Sequence, residues 1–558
     1  MEDHGKVDPK RRGDKSQPSL QTQDRPRDRV NPSPEQYAKL RAAIHTLALL
    51  HDELQSKKTS IQRLKQMLFG ARTERTQEVL GEQSITADGD GSNPTNAATR
   101  EKKEPSEPAT GSKPRKGHGR NGAADYPGAA KIEVGHPALK HGDRCPGCCH
   151  GKVYPLEPAV QVRFCGVAPL QATVYERSRL RCALCGEVFT APSLPGVGEE
   201  KYDESVPAVV GLMHYGAGLP FNQIEKLQGN FGIPLPASSQ WELVQGACGT
   251  CTPVYEEHIQ QGANGTEVYN DDTTMKVLQI TPEQRAAILG EEAAKKRTGV
   301  FTSGIVSVGD GHQIALFFTG VRHAGENLAD VLKRRSENLP PPIHMCDGLD
   351  SNLPPEFETL LCRCNVHARR KFVEVAADFP EEVRMVLLTF KEVYKVDAEV
   401  RKEGLSPAQR LQRHQTESGP RMLEMREKLL ALIDGRQVEP NSGLGKAIRY
   451  MKEHWEGMTR FLHVENAPLD NNITERCLKR AIRHRRNSLF YRTLNGAHVG
   501  DTFMTLIHTA ELNGVNAFDY LVALLRHPKE IAERPGEWMP WTYRATLARL
   551  GGGPDPPA

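Results

Sequence analysis

No apolar run in this 558-residue sequence approaches the roughly 18 residues that a membrane-spanning helix requires. The opening stretch, MEDHGKVDPKRRGDKSQPS, also lacks the apolar core of a secretory signal. A large charge excess is missing too. The formal net charge is +3, so the chain is not polybasic as a whole, and any nucleic-acid surface has to be local. Together these absences predict a cytoplasmic protein without a membrane partner. In a reducing compartment, clustered cysteines read as metal ligands before they read as disulfides. The length, at roughly 150 residues per domain, predicts three or four domains.

Residues 1–33 are polar, Pro-rich and mixed in charge, the composition of a disordered segment. Over residues 34–80, Leu40, Leu47, Leu54, Ile61 and Leu68 recur every seventh position, beside a second row of Ala43, Leu50, Lys57 and Leu64. Two such rows make a coiled-coil seam, and Lys57 interrupts it at a cost in stability while fixing register. The alternative is an amphipathic helix lying on its own protein. Residues 81–132 are rich in Gly, Ser, Thr, Pro and Ala and read as a linker. Within it, KPRKGHGRNG is a small basic patch, either an arm for a minor groove or simply a solvated one.

Residues 133–198 hold two C-x-x-C knuckles, CPGC from Cys145 to Cys148 and CALC from Cys182 to Cys185, separated by alternating strand-like stretches. A C-x-x-C turn aims two sulfurs at one point, and two such turns supply the four thiolates of tetrahedral zinc. Cys145, Cys148, Cys182 and Cys185 are therefore the expected structural zinc ligands, in a ribbon-like domain. Cys248 and Cys251 have no partner pair and read as buried helix cysteines. Residues 199–262 have helical periodicity broken by Gly and Pro. Two readings stand there, a helix-turn-helix DNA-binding region and a plain helical connector.

From Thr266 to Ile280 the period changes to that of a strand. GVFTSGIVSVGDGHQIALFFTG follows, two β-rich runs around a turn at Gly309, Asp310 and Gly311. A short helix near Glu326 to Leu332 and a short buried strand ending at Asp347 complete a β-β-β-α-β order. Long amphipathic helices occupy about 366–465. Then comes DNNITERCLKRAIRHRRN, with Arg476, Lys479, Arg480, Arg483, Arg485 and Arg486 close together and Glu475 at their head.

A carboxylate at the edge of a phosphate-binding surface repels the phosphate unless a divalent cation lies between them. Asp271, Asp347 and Glu475 meet if strand four returns beside strand one and a later helix packs on the sheet. Two Mg²⁺ ions held by such acids clamp the attacking and leaving oxygens of a phosphoryl transfer. Taken singly, each acid has a plainer reading: Asp347 before Gly as a turn residue, Asp271 as a cap, and Glu475 as a partner of Lys479 one helical turn on.

The segments DDTTMKVL, MCDGLDSN, RCNVHARRKF, LDNNITERCLKRAIRHRRNSLFY and NGVNAFDYLVALL, taken in order, resemble the transposases of the insertion sequence 66 family. LFGARTERT and the two-knuckle segment are similar as well, so the resemblance runs from about Leu40 to the C-terminal end. It implies a DDE transposase: a multidomain α/β protein with an RNase H-like catalytic core over residues 263–500, a helical insertion at about 366–465, and a C-terminal helical region over 501–558.

Asp271, Asp347 and Glu475 match the catalytic acids, with Mg²⁺ or Mn²⁺ as the ion. Cys364 and His367 match the family's C-x-x-H at the start of the insertion. One departure matters. The family has Asp-Glu-Thr where this chain has Asp271-Asp272-Thr273, so Asp272 is an alternative first acid. Neighbours on a strand face opposite sides, so one of the two should be dispensable.

The implied activity is metal-dependent cleavage at the ends of an insertion sequence, followed by strand transfer into target DNA. The implied partners are the terminal inverted repeats, target DNA, a second copy through the coiled coil, and small accessory proteins of the same element, in a nucleoid-associated setting. Arg476, Lys479, Arg480, Arg483 and Arg486 would grip the DNA backbone. A non-catalytic DNA-binding regulator and a nuclease without strand joining are the competing readings.

Overall fold

The computed structural model describes residues 137–154 (except Cys145, Gly147 and Cys149), 169–181, 188–192 and 200–551. The expected disordered segment, coiled coil and linker lie outside the described residues, as do Cys145, Cys182 and Cys185. Around the two knuckles the chain forms short antiparallel pairs. Arg144 bridges to Lys152, and β1 (Arg179–Arg181) pairs with β2 (Val188–Thr190) in the register Arg179 to Thr190. Cys148 accepts a hydrogen bond from the Gly151 N–H at 3.4 Å.

From Ser205 the chain forms α1 (Ser205–Gly211), a π-helical turn (Leu212–Gly216), α2 (Phe221–Asn230) and α3 (Ala237–Ala263). α3 buries Tyr255, Ile259 and Ala263 against Val268, Ile305, Ile314 and Leu316 of the sheet that follows. Cys248 and Cys251 are buried on it, and burial pushes the Cys251 thiol up.

The sheet has five strands: β3 (Glu267–Thr274), β5 (Phe301–Gly309), β6 (His312–Gly320), β7 (Ile343–Cys346) and β8 (Leu360–Arg363). Their order is β6-β5-β3-β7-β8. The first three make an antiparallel meander, and β7 and β8 add in parallel on the far side of β3. Between β3 and β5 the chain makes β4 (Val277–Gln279), α4 (Pro282–Leu289) and α5 (Glu291–Lys296). Asp310 and Gly311 both have positive φ, 50° and 77°. That left-handed pair is what a two-residue hairpin needs to match strand twist. α6 (Ala324–Leu332) carries the chain from β6 across to β7. The result is a mixed α/β fold with the strand arrangement of an RNase H-like core.

The expected return of strand four beside strand one is present, because β7 pairs with β3. The fifth strand, β8, was not expected. Its four residues, LLCR, have no alternation long enough to read.

After β8 come α7 (Asn365–Val373), α8 (Pro380–Glu403), α9 (Pro407–Arg413), α10 (Gly419–Asp434), α11 (Gly443–Glu453) and α12 (Trp455–Met458). These helices lie between β8 and the chain's return to the sheet. Their interior holds Asp397, paired with Arg401, Arg410 and His414. The chain then returns to the sheet as α13 (Asn472–Ser488), β9 (Tyr491–Thr493), which pairs in parallel with β4, and α14 (Leu494–Leu512). α15 (Ala517–Arg526), α16 (Pro528–Glu533) and α17 (Tyr543–Arg549) close the described chain. The expected boundary at 500 falls inside α14.

α14 solves the problem of an exposed sheet edge. Every fourth residue along it meets every second residue of β6. Asp501 accepts from the Thr319 N–H at 2.6 Å, Thr505 from Phe317 at 3.2 Å, Thr509 from Ala315 at 3.1 Å and Asn513 from Gln313 at 3.2 Å. The periods match because four helical residues rise about 6 Å and two strand residues about 6.7 Å. No helix among the described residues is long and apolar enough to cross a membrane.

Candidate active site

Strand parity decides which acids share a face. Tyr269 of β3 lies beside Met345 of β7 in parallel register, and two residues further along each chain stand Asp271 and Asp347. Both therefore belong to the same side of the sheet. Across the antiparallel pair, Asp271 is opposite Gly304. A Cβ on Gly304 would lie 2.9 Å from Leu478 Cδ2, so the absent side chain lets α13 press onto this face. α13 buries Thr474, Cys477, Leu478 and Ala481 and carries Glu475 in its first turn. There the positive end of the helix dipole favours a carboxylate.

Asp272 points the other way. Its partner in register, Ser303, accepts a hydrogen bond from Asn327 of α6 at 2.8 Å. Asp272 itself lies 2.8 Å from Nδ1 of His323, the residue that begins α6. Asp272 thus has a partner on the α6 face, while Asp271 faces Asp347 and α13.

Asn352 ties the two strand-borne acids together. Its Nδ2 donates to Asp347 Oδ1 at 2.7 Å and stands 3.5 Å from Asp271 Oδ1. Asp347 Oδ1 also accepts from the Leu349 N–H at 2.8 Å, and the Arg363 guanidinium donates to the Asp347 carbonyl. A Cβ on Gly348 would lie 2.4 Å from the Tyr450 hydroxyl, so a larger residue there has to displace that ring. On the helix side, Asn471 donates to the Asn270 carbonyl at 3.0 Å, which ties the start of α13 to β3. Cys364 Sγ accepts from the Asn471 N–H at 3.3 Å, and His367 Nε2 is 3.8 Å from Glu475 Oε1. The C-x-x-H pair therefore braces the Glu-bearing helix. Burial pushes the Cys364 thiol up to about 12.

The electrostatics follow from this crowding. Burial, and then the Asp347 charge, push the Asp271 carboxyl up to about 7; Asp272 and Glu475 add to the rise, and the Asp272 N–H opposes it. Glu475 Oε1 is buried and has no hydrogen-bond partner. Among the described residues, no three His, Cys, Asp or Glu side chains stand close enough to hold a metal ion. The mutual effect of the acids on Asp271 acts over a longer reach than coordination, so the two findings describe one arrangement. Carboxylates are the hard oxygen donors that Mg²⁺ takes, and Glu475 Oε1, buried without a hydrogen bond, is one such donor.

The basic residues divide on α13. Arg476, Lys479, Arg483 and Arg486 are exposed, at the spacing of one helical stripe. Arg480 departs from the expected surface. Its side chain is 13% exposed, pairs with Glu511 and reaches His508 Nδ1 at 3.2 Å. Its place on the helix turns it towards α14. Arg485, unassigned from sequence, donates to Thr273 Oγ1 at 3.1 Å and to Thr274 at the end of β3.

The sequence profile described as "Transposase IS66 family" matches residues 200–499, more than half of the chain. The chain belongs to this family of transposases. It is similar to three proteins of Sinorhizobium fredii, each called an uncharacterized protein. With y4jD it shares 32% identity over 190 residues, 33% of this chain and 36% of that one. With y4qI it shares 29% over 188 residues, 33% and 34% of the two chains, and with y4hP 29% over 203 residues, 33% and 35%. The chain thus spans about a third of the length of these curated relatives.

Proposed function

We propose that this protein is a DNA transposase that cuts the ends of an insertion sequence and joins them to target DNA, using Asp271, Asp347 and Glu475. The observation that carries the reading is the placement of Asp271 and Asp347 on one side of neighbouring parallel strands, with Glu475 on the helix packed against that side. These three acids would hold Mg²⁺ or Mn²⁺, which when bound supplies an activated water and charge neutralisation at the phosphate.

The chain's own residues do the rest. Asn352 orients Asp271 and Asp347. Asn471, Cys364 and His367 hold the head of α13. Arg476, Lys479, Arg483 and Arg486 grip the DNA backbone beside Glu475. In the first step water adds to phosphorus and the 3′-hydroxyl leaves. In the second, that hydroxyl adds to a target phosphate and displaces a target 3′-hydroxyl. Asp271, not Asp272, is the first acid, because Asp272 is committed to His323.

The remaining segments take supporting roles in this proposal. Cys145, Cys148, Cys182 and Cys185 hold structural zinc, and residues 34–80 pair two copies so that two element ends are processed together. Residues 199–262, with the zinc segment, contact the terminal repeats, and small accessory proteins of the element join the complex in the cytoplasm.

The test uses duplexes taken from the DNA flanking the gene, with Mg²⁺ or Mn²⁺ and the purified chain. Nicking and joining are expected in wild type and in Asp272→Asn, and in neither Asp271→Asn nor Glu475→Gln. Cutting that survives Glu475→Gln would refute the triad. Wild-type binding without any cutting would favour the regulator.

A further inference from the structure

The basic stripe of α13 ends on a strained, exposed apolar turn. Leu489 has φ 69° and ψ −43°, and the Phe490 N–H donates to the Ser488 carbonyl at 2.8 Å. This is a γ-turn of the rare, strained hand, with a leucine at its apex. A non-glycine residue in that region persists where the surroundings hold it, and such residues cluster at functional sites. The side chain is not buried to compensate: Leu489 is 63% exposed and Phe490 40%. Directly after the turn, β9 pairs with β4. Val277 and Tyr491 face inward, and Leu278, 50% exposed, and Arg492 face outward. Three apolar side chains thus stand in water, flanked in sequence by exposed Arg486, Arg492 and Lys276.

We infer that the Leu489–Phe490 turn is an apolar wedge that stacks on unstacked bases of the DNA held by the α13 stripe. The inference rests on the DNA-processing reading above. Cations along the helix match the phosphates, and apolar and aromatic side chains at the tip match base faces, which the phosphate contacts do not use. Proteins that insert such wedges open or kink a base step. The helix also fixes where this happens. Leu489 stands fourteen residues beyond Glu475. At about 1.5 Å per residue that is about 21 Å along the helix.

The test compares the full chain, with Mg²⁺ and Mn²⁺ omitted so that no strand is cut, on a fully paired duplex and on the same duplex with a short central mismatched bubble carrying 2-aminopurine. Wild type is expected to bind the bubble about tenfold more tightly, the scale of one stacked base, and to quench the 2-aminopurine. The double variant Leu489→Gly, Phe490→Ser is expected to bind both duplexes alike, at wild-type duplex affinity. Glycine accepts the turn, so the melting temperature should hold or rise; Phe490→Ser alone carries the test if the double variant unfolds. Equal affinity of wild type for the two duplexes, or a preference that survives the substitutions, overturns the wedge and leaves the DNA reading standing. Failure of wild type to bind either duplex overturns both.

Discussion

Replacing Asp271 with asparagine should stabilise the metal-free protein above neutral pH. The carboxyl moves from 3.8 in the unfolded chain to about 7 in the folded one. Its folded value lies above its unfolded value. Its contribution is therefore whole below pH 3.8 and is lost as pH rises through 7. At about 1.4 kcal/mol per pH unit, the ionised form costs at most about 4 kcal/mol at pH 8. Relaxation and residual hydration reduce this, and about 1–3 kcal/mol is the expected gain for Asp271→Asn, which keeps an oxygen for the Asp272 N–H.

For a body of about 350 residues, at about 2.1 cal/mol/K per residue, that gain is about 1–4 °C in melting temperature. The assay is thermal melting of both proteins without added divalent cation from pH 5 to pH 8, where the gap should widen up to pH 7 and then stay level. The wild-type slope alone is not diagnostic, because burial also pushes the Asp501 carboxyl up to about 7. The difference between the two proteins isolates Asp271. Adding Mg²⁺ should raise the wild-type melting temperature and leave the variant unchanged. A variant that melts below wild type at pH 8 without added divalent cation would refute the reasoning, since Asp271 would then be a stabilising acceptor and not a crowded acid.

Three other outcomes are expected. Thr505→Val leaves the Phe317 N–H of the sheet edge without its acceptor and should cost about 1–3 kcal/mol in chemical denaturation; an unchanged midpoint would remove α14's role as an edge cover. Arg486→Ala should lower the salt slope of DNA binding by about one without changing sequence preference, whereas Arg480→Ala, which breaks the pair with Glu511, should lower stability instead. Zinc measured by atomic absorption should accompany the purified chain and be lost with Cys182→Ser; a zinc-free wild-type chain with intact fold would refute the ligand set.

The legible parts of this fold are those where a local pattern carries the information. The β5–β6 hairpin was readable because Asp310-Gly311 interrupts two β-rich runs, and the crossover to β7 because a buried run ends at Asp347. α14 was not readable as an edge cover. Its polar row of Asp501, Thr505, Thr509 and Asn513 acquires meaning only opposite the alternate N–H groups of β6, nearly two hundred residues away in sequence. Asn352 is similar: it stands five residues beyond Asp347, yet its link to Asp271 crosses 81 positions. Helical spacing brought Arg480 into the expected grip, but spacing cannot report that Glu511 waits on the neighbouring helix.

In the proposed transposase, a carboxylate at the head of a basic helix follows from using one rigid element for two jobs. Had Glu475 and the cations stood on separate elements, the distance between the grip and the cut would vary with their packing. On α13 that distance is set by helical rise. Arg486 lies eleven residues beyond Glu475, about 16 Å along the helix axis. The dipole supports the same order, with the acid in the first turn and Arg485 and Arg486 in the last. Reversing it would place the carboxylate against the helix's negative end and the cations at its positive end. Gly304 and Asn471 then fix the helix to the strands that bear the other two acids. On that proposal the grip, the cut and the apolar turn are held on one ruler.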